Sequence, residues 1–161
     1  MNQLPNAFPT DPADFPEPTE VAEPTSDVVT PPALSDEEAK ELAQVIANAA
    51  DDRKAEDIVI LEVTGVSYLA DYFVIATGFS TTQVRAISRS IEQAVHEKYD
   101  RHPLHTEGTG ENRWVLQDYG EVIVHVFLPD EREYYDLESF WAQATPIPFI
   151  PTSPAATDAL S

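Results

Sequence analysis

Apolar residues recur at helical spacing in two stretches of the chain, and each stretch follows a capping sequence. Ser35 precedes the first stretch with Glu38 at the capping-box position, and Ser80 with Gln83 repeats this arrangement before the second. The apolar positions after the caps are Leu42, Val45, Ile46 and Ala49, and then Val84, Ile87, Ile91, Ala94 and Val95. This pattern predicts two amphipathic helices, the second of about five turns.

Four short runs rich in β-branched and aromatic residues predict β-strands. The runs span residues 58–63, 72–76, 114–118 and 122–127. Tyr119 and Gly120 lie between the last two runs, and Gly120 tolerates the positive φ angle that a tight hairpin turn needs. We therefore expect the last two strands to form a hairpin.

The predicted fold class is α/β (α+β-like), with the element order α-β-β-α-β-β-α and a small mixed sheet on which the helices pack. The last helix is expected to begin at Asp130 as the capping residue, because Pro129 ends the preceding strand. Its apolar side holds Tyr134, Leu137, Trp141 and Ala144. Residues 100–112 contain one Pro and two Gly and are predicted to form a loop.

The composition divides the chain into a folded middle and two tails. Residues 1–34 hold eight Pro and six acidic residues but no Lys or Arg, and they have too few large apolar side chains to offset the entropy of ordering. Residues 145–161 hold four more Pro among small side chains. We therefore predict a disordered acidic Pro-rich tail over residues 1–34, a folded domain over residues 35–144 and a second disordered tail over residues 145–161.

The net charge of −20 restricts the classes of partner. Such a charge repels phosphate backbones and anionic membrane surfaces, so neither nucleic acid nor a membrane is expected as a direct partner. The chain contains no Cys, which excludes disulfides, Cys-ligated metals and thiol nucleophiles. Residues 35–144 hold 22 acidic and 9 basic residues, a net charge of −13, so we expect the folded domain to meet a basic partner.

The strongest candidate for catalysis is the turn at residues 78–80, which lies between a predicted strand and a predicted helix. Helix N-termini attract phosphate, and nucleotidyltransferases begin their nucleotide site at such a turn. A turn glycine followed by a capping serine explains the same residues. Nucleotidyl transfer also needs paired carboxylates to hold two Mg²⁺ ions, whereas Glu62, Asp118 and Glu121 form no such pair. We therefore predict no catalytic residue, no metal ligand and no cofactor.

Histidines and a second glycine pair give weaker signals. His102 and His105 could approach one another, but Pro103 keeps the backbone extended and no acidic third ligand has a fixed spacing to them. His125 lies inside the fourth predicted strand, where it is a candidate base or, as we expect, a partly buried residue that is hydrogen-bonded or faces a partner. Residues 108–110 (Gly-Thr-Gly) do not follow a strand and are interpreted as a flexible loop.

The third predicted strand carries the most informative side-chain pattern. Strand alternation places Trp114, Leu116 and Asp118 on one face. This arrangement suits a protein-binding surface with an aromatic anchor and an acidic rim, which Tyr134 and Tyr135 could extend. Burial of Trp114 and Leu116 in the core explains the pattern equally well.

Four motifs stand in the folded part of the chain. In chain order they are Lys54-x-x-Asp57-Ile58, Asp71-Tyr72-Phe73-Val74-Ile75-Ala76-Thr77-Gly78, Trp114-Val115-Leu116-Gln117-Asp118-Tyr119-Gly120-Glu121-Val122-Ile123-Val124-His125-Val126-Phe127 and Glu133-Tyr134-Tyr135-Asp136-Leu137-Glu138-x-x-Trp141. Together they resemble the Iojap family, which includes the ribosomal silencing factor RsfS. The resemblance covers about residues 37–144, and the consistent order and spacing of the motifs make it specific.

The resemblance implies a nucleotidyltransferase-like fold without transferase activity. It implies binding to the large ribosomal subunit through ribosomal protein fourteen, which blocks association with the small subunit and represses translation under nutrient limitation. It also implies a homodimer in the free state and a cytoplasmic location. The matching motifs place the partner-binding residues at Trp114, Leu116, Asp118, Tyr119, Tyr134, Tyr135 and Asp71.

Two other hypotheses remain open from the sequence. The turn at residues 78–80 would belong to an active nucleotidyltransferase-fold enzyme that acts on a nucleotide. Alternatively, residues 1–34 would bind the partner, and the chain would be an acidic assembly adaptor. A nucleotide-transfer assay and deletion of residues 1–34 separate these hypotheses from ribosome binding by the folded domain.

Overall fold

Two long helices, two short helices and six strands make up the structure, a computed structural model that describes residues 33–152. In chain order the elements are α1 (Asp36–Asp52), β1 (Glu56–Glu62), β2 (Tyr72–Thr77), α2 (Thr81–Tyr99), β3 (His105–Glu107), β4 (Trp114–Asp118), β5 (Val122–Phe127), α3 (Pro129–Tyr135), α4 (Leu137–Phe140) and β6 (Thr145–Ile147). The strand order is β3-β4-β5-β2-β1-β6, in which β2 and β5 are parallel and the other neighbours antiparallel. The predicted class and the mixed sheet are confirmed. Residues 1–32 and 153–161 of the two predicted tails lie outside the described residues.

The two long helices begin at the predicted capping residues. The Ser35 hydroxyl accepts from the Glu38 N–H at 3.1 Å, while the Glu38 carboxylate accepts from the Ser35 N–H at 2.9 Å. The Ser80 hydroxyl accepts from the Gln83 N–H at 3.0 Å. These bonds satisfy N–H groups that the first helical turn otherwise leaves free. Among the described helices, none is both long and apolar enough to cross a membrane.

Helices α1 and α2 cover one face of the sheet, which we call the α1/α2 face. The apolar side of each helix packs on alternate strand residues, because successive side chains of a strand point to opposite faces. The main contributors are Leu42, Ile46, Ile87, Ile91 and Val95 from the helices and Ile60, Tyr72, Val74, Val115 and Val124 from the strands. Every residue of β2 and β5 is buried, as expected for central strands covered on both faces.

The opposite face of the sheet is covered without a long helix. Two segments pack on it: residues 63–70, which connect β1 to β2, and residues 135–144, which include α4. The strand side chains beneath them are Leu61, Phe73, Ile75, Trp114, Leu116, Ile123 and Phe127. The covering side chains are Val63, Leu69, Ala70, Tyr135, Leu137, Trp141 and Ala144. This second core is therefore closed by short elements whose outer side chains lie at the surface.

The sheet has two edge strands that the sequence pattern does not predict. Strand β3 lies in the predicted loop 100–112 and pairs with β4, with Thr106 opposite Gln117. Strand β6 lies in the predicted C-terminal tail and pairs with β1, with Ile147 opposite Ile60. Each has three residues and none of them is buried, so neither carries a strand pattern of its own.

The chain after β6 is held on α1 by side-chain hydrogen bonds. Gln44 donates to the Pro148 carbonyl oxygen at 2.8 Å and accepts from the Ile150 N–H at 3.0 Å. The Asn48 side-chain oxygen accepts from the Thr152 N–H at 2.8 Å. The folded unit therefore extends at least to Thr152, which corrects the prediction of a disordered tail from residue 145 onward.

The predicted last helix is broken into α3 and α4 at Asp136, whose φ of 46° lies in the left-handed region. Helix α3 has Pro129 in its first turn and no side-chain cap, so the prediction of Asp130 as the capping residue is wrong. The break also divides the predicted apolar stripe, because Leu137 is buried whereas Tyr134 is exposed. Tyr134 therefore lies outside the core, where its ring is accessible to a partner.

Candidate functional site

Trp114, the predicted aromatic anchor, lies in the core of the opposite face with 2% of its surface exposed. Its indole packs against the rings of Phe127 and Tyr135, at centroid distances of 4.7 and 4.5 Å. Leu116, two residues along β4, is buried as well. The structure therefore favours the core explanation of these two side chains over an exposed anchor.

His125 is fully buried beside Trp114, and not partly buried as predicted. The indole Nε1–H donates to His125 Nδ1 at 3.1 Å, so the neutral imidazole carries its proton on Nε2. Burial lowers the pKa of His125 from 6.5 to about 3. The ring meets Phe73 in a T-shaped contact at 5.3 Å. This imidazole is thus a neutral core group without access to a substrate in solvent.

The burial of His125 predicts a loss of stability at mildly acidic pH. Below about pH 6.5 the unfolded chain binds a proton that the folded chain, with its pKa of about 3, does not. The free energy of unfolding should therefore fall by up to about 1.4 kcal/mol per pH unit as the pH drops from 6.5 toward 3. Urea unfolding at pH 7 and pH 5 checks this. The free energy of unfolding of wild type should be lower at pH 5 than at pH 7, and we expect His125→Phe to reduce that difference by roughly 2 kcal/mol. An equal pH dependence in wild type and in His125→Phe would contradict this role of His125.

Tyr119 and Asp118 stabilise the hairpin turn between β4 and β5. Tyr119 is buried on the α1/α2 face, where its hydroxyl donates to the Gln117 side-chain oxygen at 3.1 Å. Asp118 accepts from the Gly120 N–H at 2.8 Å, and burial raises the pKa of its carboxyl group although this hydrogen bond opposes the rise. Both side chains are thus engaged in the fold, and Tyr119 is not accessible to a partner.

Asp71 lies half-buried where β2 begins, among other carboxylates. Burial raises the pKa of Asp71, and the charges of Asp36 and Glu121 raise it further. Arg101 binds Glu121 with an N–O distance of 2.8 Å and neutralises part of this group. Asp71 therefore remains a partly accessible acidic residue at one end of the sheet.

Large apolar side chains are exposed on the two segments that cover the opposite face. Tyr134 is 79% exposed, and its ring meets the half-buried Tyr135 in a T-shaped contact at 4.9 Å. Tyr68 on the β1–β2 connection is fully exposed, and Phe140 and Val66 are exposed as well. We call these five residues the aromatic surface. The two tyrosines of α3 lie near the end of β5 and the β1–β2 connection lies near its start, so this surface spans the length of the sheet and is not one compact patch. Exposed aromatic side chains are enriched at protein-binding sites, which makes this surface the candidate contact.

The sequence pattern identifies Tyr134 and Tyr135 but misses the other three members of the aromatic surface. Val66 and Tyr68 lie in a connection without helical or strand periodicity, next to Gly65. A large apolar residue in such a connection has no regular element that buries it, and the sequence could have indicated its exposure on this ground. Phe140 could not be found in this way, because its exposure depends on the break before α4.

The segment of the chain that contains α3 and α4 is strongly acidic. Residues 129–144 hold five acidic side chains and one basic side chain. That base, Arg132, binds Glu138 at 2.7 Å, and the nearby Arg113 binds Glu131 at 2.6 Å. Each ion pair also neutralises one of the five carboxylates, so three uncompensated acidic side chains remain in this segment. The surroundings of the aromatic surface are acidic and suit a basic partner.

The turn between β2 and α2 is closed by its own side chains. Gly78 is buried against α2, where an added Cβ would lie 3.0 Å from Val84. The Gln83 N–H donates to Ser80, and the Phe79 N–H donates to the Gln83 side-chain oxygen at 2.7 Å. These contacts use N–H groups that a bound phosphate would need. In the described part of the chain, no three His, Asp or Glu side chains are grouped to hold a metal. The geometry favours a turn and helix cap over a nucleotide site.

Comparison with known proteins identifies the family of this chain. Residues 36–159 match the RsfS model, described as ribosomal silencing factor during starvation. This chain belongs to the RsfS family. The ribosomal silencing factor RsfS of Bacillus subtilis (strain 168) is 47% identical over 105 residues, which cover 65% of this chain and 88% of that protein. The chloroplastic protein Iojap of Zea mays is 38% identical over 115 residues, which cover 71% of this chain and 50% of that protein.

A solved structure supports the same family assignment. A crystal structure of a Bacillus halodurans protein superposes with a TM-score of 0.60 at 41% sequence identity, and the match covers 68% of this chain and 98% of that one. The resemblance carried by the four sequence motifs is thereby confirmed. The bacterial RsfS relative is named for ribosomal silencing, which is a role in translation regulation.

Proposed function

We propose that the protein binds the large ribosomal subunit through ribosomal protein fourteen, blocks its association with the small subunit and so represses translation under nutrient limitation. The observation that carries this proposal is the RsfS family match over residues 36–159. The family description names both ribosomal silencing and starvation. The protein acts by occupying a surface, so its activity follows the amount of protein bound and needs no turnover.

The aromatic surface is the part of the domain that we assign to the ribosomal contact. Tyr134 and Tyr68 supply exposed rings, and aromatic side chains dominate the binding energy of many interfaces. Tyr135 lies between the exposed Tyr134 and the buried Trp114, so it connects the contact to the core. Trp114 and Leu116 then contribute indirectly, by holding α3 in place.

Acidic groups give the contact its orientation. Asp71 is partly accessible at one end of the sheet, and residues 129–144 carry five acidic side chains. A basic ribosomal protein attracts such a surface and speeds the encounter. The surrounding RNA repels a chain with a net charge of −20, which disfavours docking at other positions. We propose that Asp118 supports this surface mainly by fixing the hairpin turn, since its carboxylate is bound to Gly120.

We propose further that the free protein is a homodimer and that it acts in the cytoplasm without a cofactor. The dimer is carried over from the family resemblance, because the two edge strands, of three residues each, offer little edge for pairing between copies. The buried His125 and the closed turn at Gly78 offer no catalytic group, which supports a regulatory role in place of nucleotidyl transfer.

Sedimentation with purified subunits tests this function. We expect the protein to pellet with large subunits and not with small subunits at moderate salt, because only the large subunit carries the proposed partner. Binding should weaken as salt rises, since charge complementarity is screened. The chain without residues 1–34, the predicted acidic tail, serves as the control for the tail hypothesis and should bind equally. Failure of the full chain to pellet with large subunits would exclude the proposal, and transfer of a labelled nucleotide in the presence of Mg²⁺ would favour the enzyme.

A further inference from the structure

A cavity of about 410 Å³ opens on the α1/α2 face, between α2 and the turn that joins β3 to β4. Residues 135–144 cover the other face of the sheet, so the cavity lies away from the proposed ribosomal contact. Its volume falls within the range of about 300–1,000 Å³ that is typical of small-molecule sites. The cavity therefore has room for an organic ligand and exceeds the needs of a single inorganic ion.

Two arginines of α2 give the cavity its charge. Arg85 and Arg89 are four residues apart, so their side chains lie one above the other on the same side of the helix. Neither forms an ion pair with any carboxylate of residues 33–152, whereas Arg101, Arg113 and Arg132 each bind a glutamate. Both guanidinium groups are exposed and can therefore donate to a ligand in the cavity. They form a fork of N–H donors that matches a phosphate group.

The remaining lining is polar and partly rigid. Gln117 is fully buried at the base of the cavity, where its amide donates to the Ser88 carbonyl oxygen at 3.0 Å. Thr109 and Gly110 line the rim, and an added Cβ at Gly110 would meet no atom within 4 Å, so the rim is open there. Glu92 is the one carboxylate among the lining residues and can accept hydrogen bonds from hydroxyl groups.

We propose that this cavity binds a phosphate ester of a small hydroxylated molecule, of the nucleotide or sugar-phosphate class. Arg85 and Arg89 hold the phosphate, and Glu92 accepts from a hydroxyl of the organic part. A free phosphate would leave most of the volume unfilled, and an apolar ligand would form no charge-assisted hydrogen bond with the guanidinium groups. The net charge of −20 opposes a long nucleic acid strand at the same place. This site would give the protein a small-molecule ligand in addition to its ribosomal partner.

Isothermal titration of the full chain with ADP, ribose 5-phosphate and adenosine tests the proposal. We expect both phosphate esters to bind, and the Arg85→Ala/Arg89→Ala variant to bind them at least about tenfold more weakly, because charge-assisted hydrogen bonds to phosphate are lost. Adenosine, which lacks the phosphate, should not bind measurably. Amide resonances of Gly110 and of the Gln117 side chain should shift on addition of either ester. Comparison of ADP with ribose 5-phosphate then shows which organic part is preferred.

The matched control is Lys40→Ala/Arg53→Ala, which also removes two positive charges, but from exposed side chains outside the cavity lining. This control should bind the esters like wild type. Alanine is a favourable helix residue, so the α2 variant should fold, and its circular dichroism verifies this. Absence of binding by both esters at millimolar concentration would overturn the proposal. So would equal losses in the two double variants, or arginine-dependent binding of a short RNA when neither ester binds.

Discussion

The Trp114→Ala variant is expected to lose about 3–5 kcal/mol of unfolding free energy, the range typical of a buried aromatic side chain replaced by alanine. The indole fills the space between Phe127 and Tyr135, and its removal leaves His125 Nδ1 without its donor. Domains of this kind have total stabilities of about 5–15 kcal/mol, so the loss is a large part of the total. Urea unfolding followed by far-ultraviolet circular dichroism measures it.

Two further variants show whether the loss arises from burial. Trp114→Phe keeps a ring in the core but lacks the Nε1–H that binds His125, so it should lose less than the alanine variant. Tyr134→Ala removes an exposed ring and should change the unfolding free energy by no more than about 0.5 kcal/mol. A Trp114→Ala protein within about 1 kcal/mol of wild type would contradict the assignment of Trp114 to the core.

The Tyr68→Ala/Tyr134→Ala variant is expected to bind the large ribosomal subunit about 30-fold more weakly than wild type, which corresponds to about 2 kcal/mol. Both rings are exposed and outside the core, so their removal leaves the core intact while it removes the proposed anchors. The affinity is measured by sedimentation over a series of protein concentrations. Unfolding curves recorded in parallel separate this effect from the stability effect at Trp114.

Ile150→Ala is the matched control for the aromatic surface. Ile150 is exposed, but its backbone is held by Gln44 and Asn48 of α1, on the other side of the sheet. Loss of its side chain should leave ribosome affinity unchanged. An unchanged affinity in the Tyr68→Ala/Tyr134→Ala variant would show that the contact lies elsewhere, and an equal loss in Ile150→Ala would show that the effect is not specific to this surface.

Much of the fold could be predicted because its main elements carry strong local signals. The capping residues Ser35 and Ser80 and the apolar spacing after them define the long helices, and β2 and β5 are continuous apolar runs. Strands β3 and β6 could not be predicted, because runs of only three residues, His-Thr-Glu and Thr-Pro-Ile, form strands only when a neighbouring strand offers its edge. The break at Asp136 is likewise set by packing, since Leu137 and Trp141 must reach the opposite face.

The candidate site was less predictable than the fold. The alternation of Trp114 and Leu116 fits an exposed surface and a buried core alike, and only the position of α3 and α4 decides between them. Exposure of Tyr68 and Phe140 depends in the same way on how short segments cover the sheet. The arginine-lined cavity arises from residues of α2 and of the β3–β4 turn, which are more than 15 residues apart in the sequence, and no local motif joins them.

Subunit joining, followed by light scattering, measures the proposed silencing most directly. Large subunits are first incubated with increasing concentrations of the protein, up to saturation, and small subunits are then added. We predict that the fraction of joined particles falls in proportion to the fraction of large subunits occupied, and that the Tyr68→Ala/Tyr134→Ala variant requires about 30-fold more protein for the same effect. Unchanged joining of large subunits that are demonstrably saturated with the protein would contradict repression by steric exclusion.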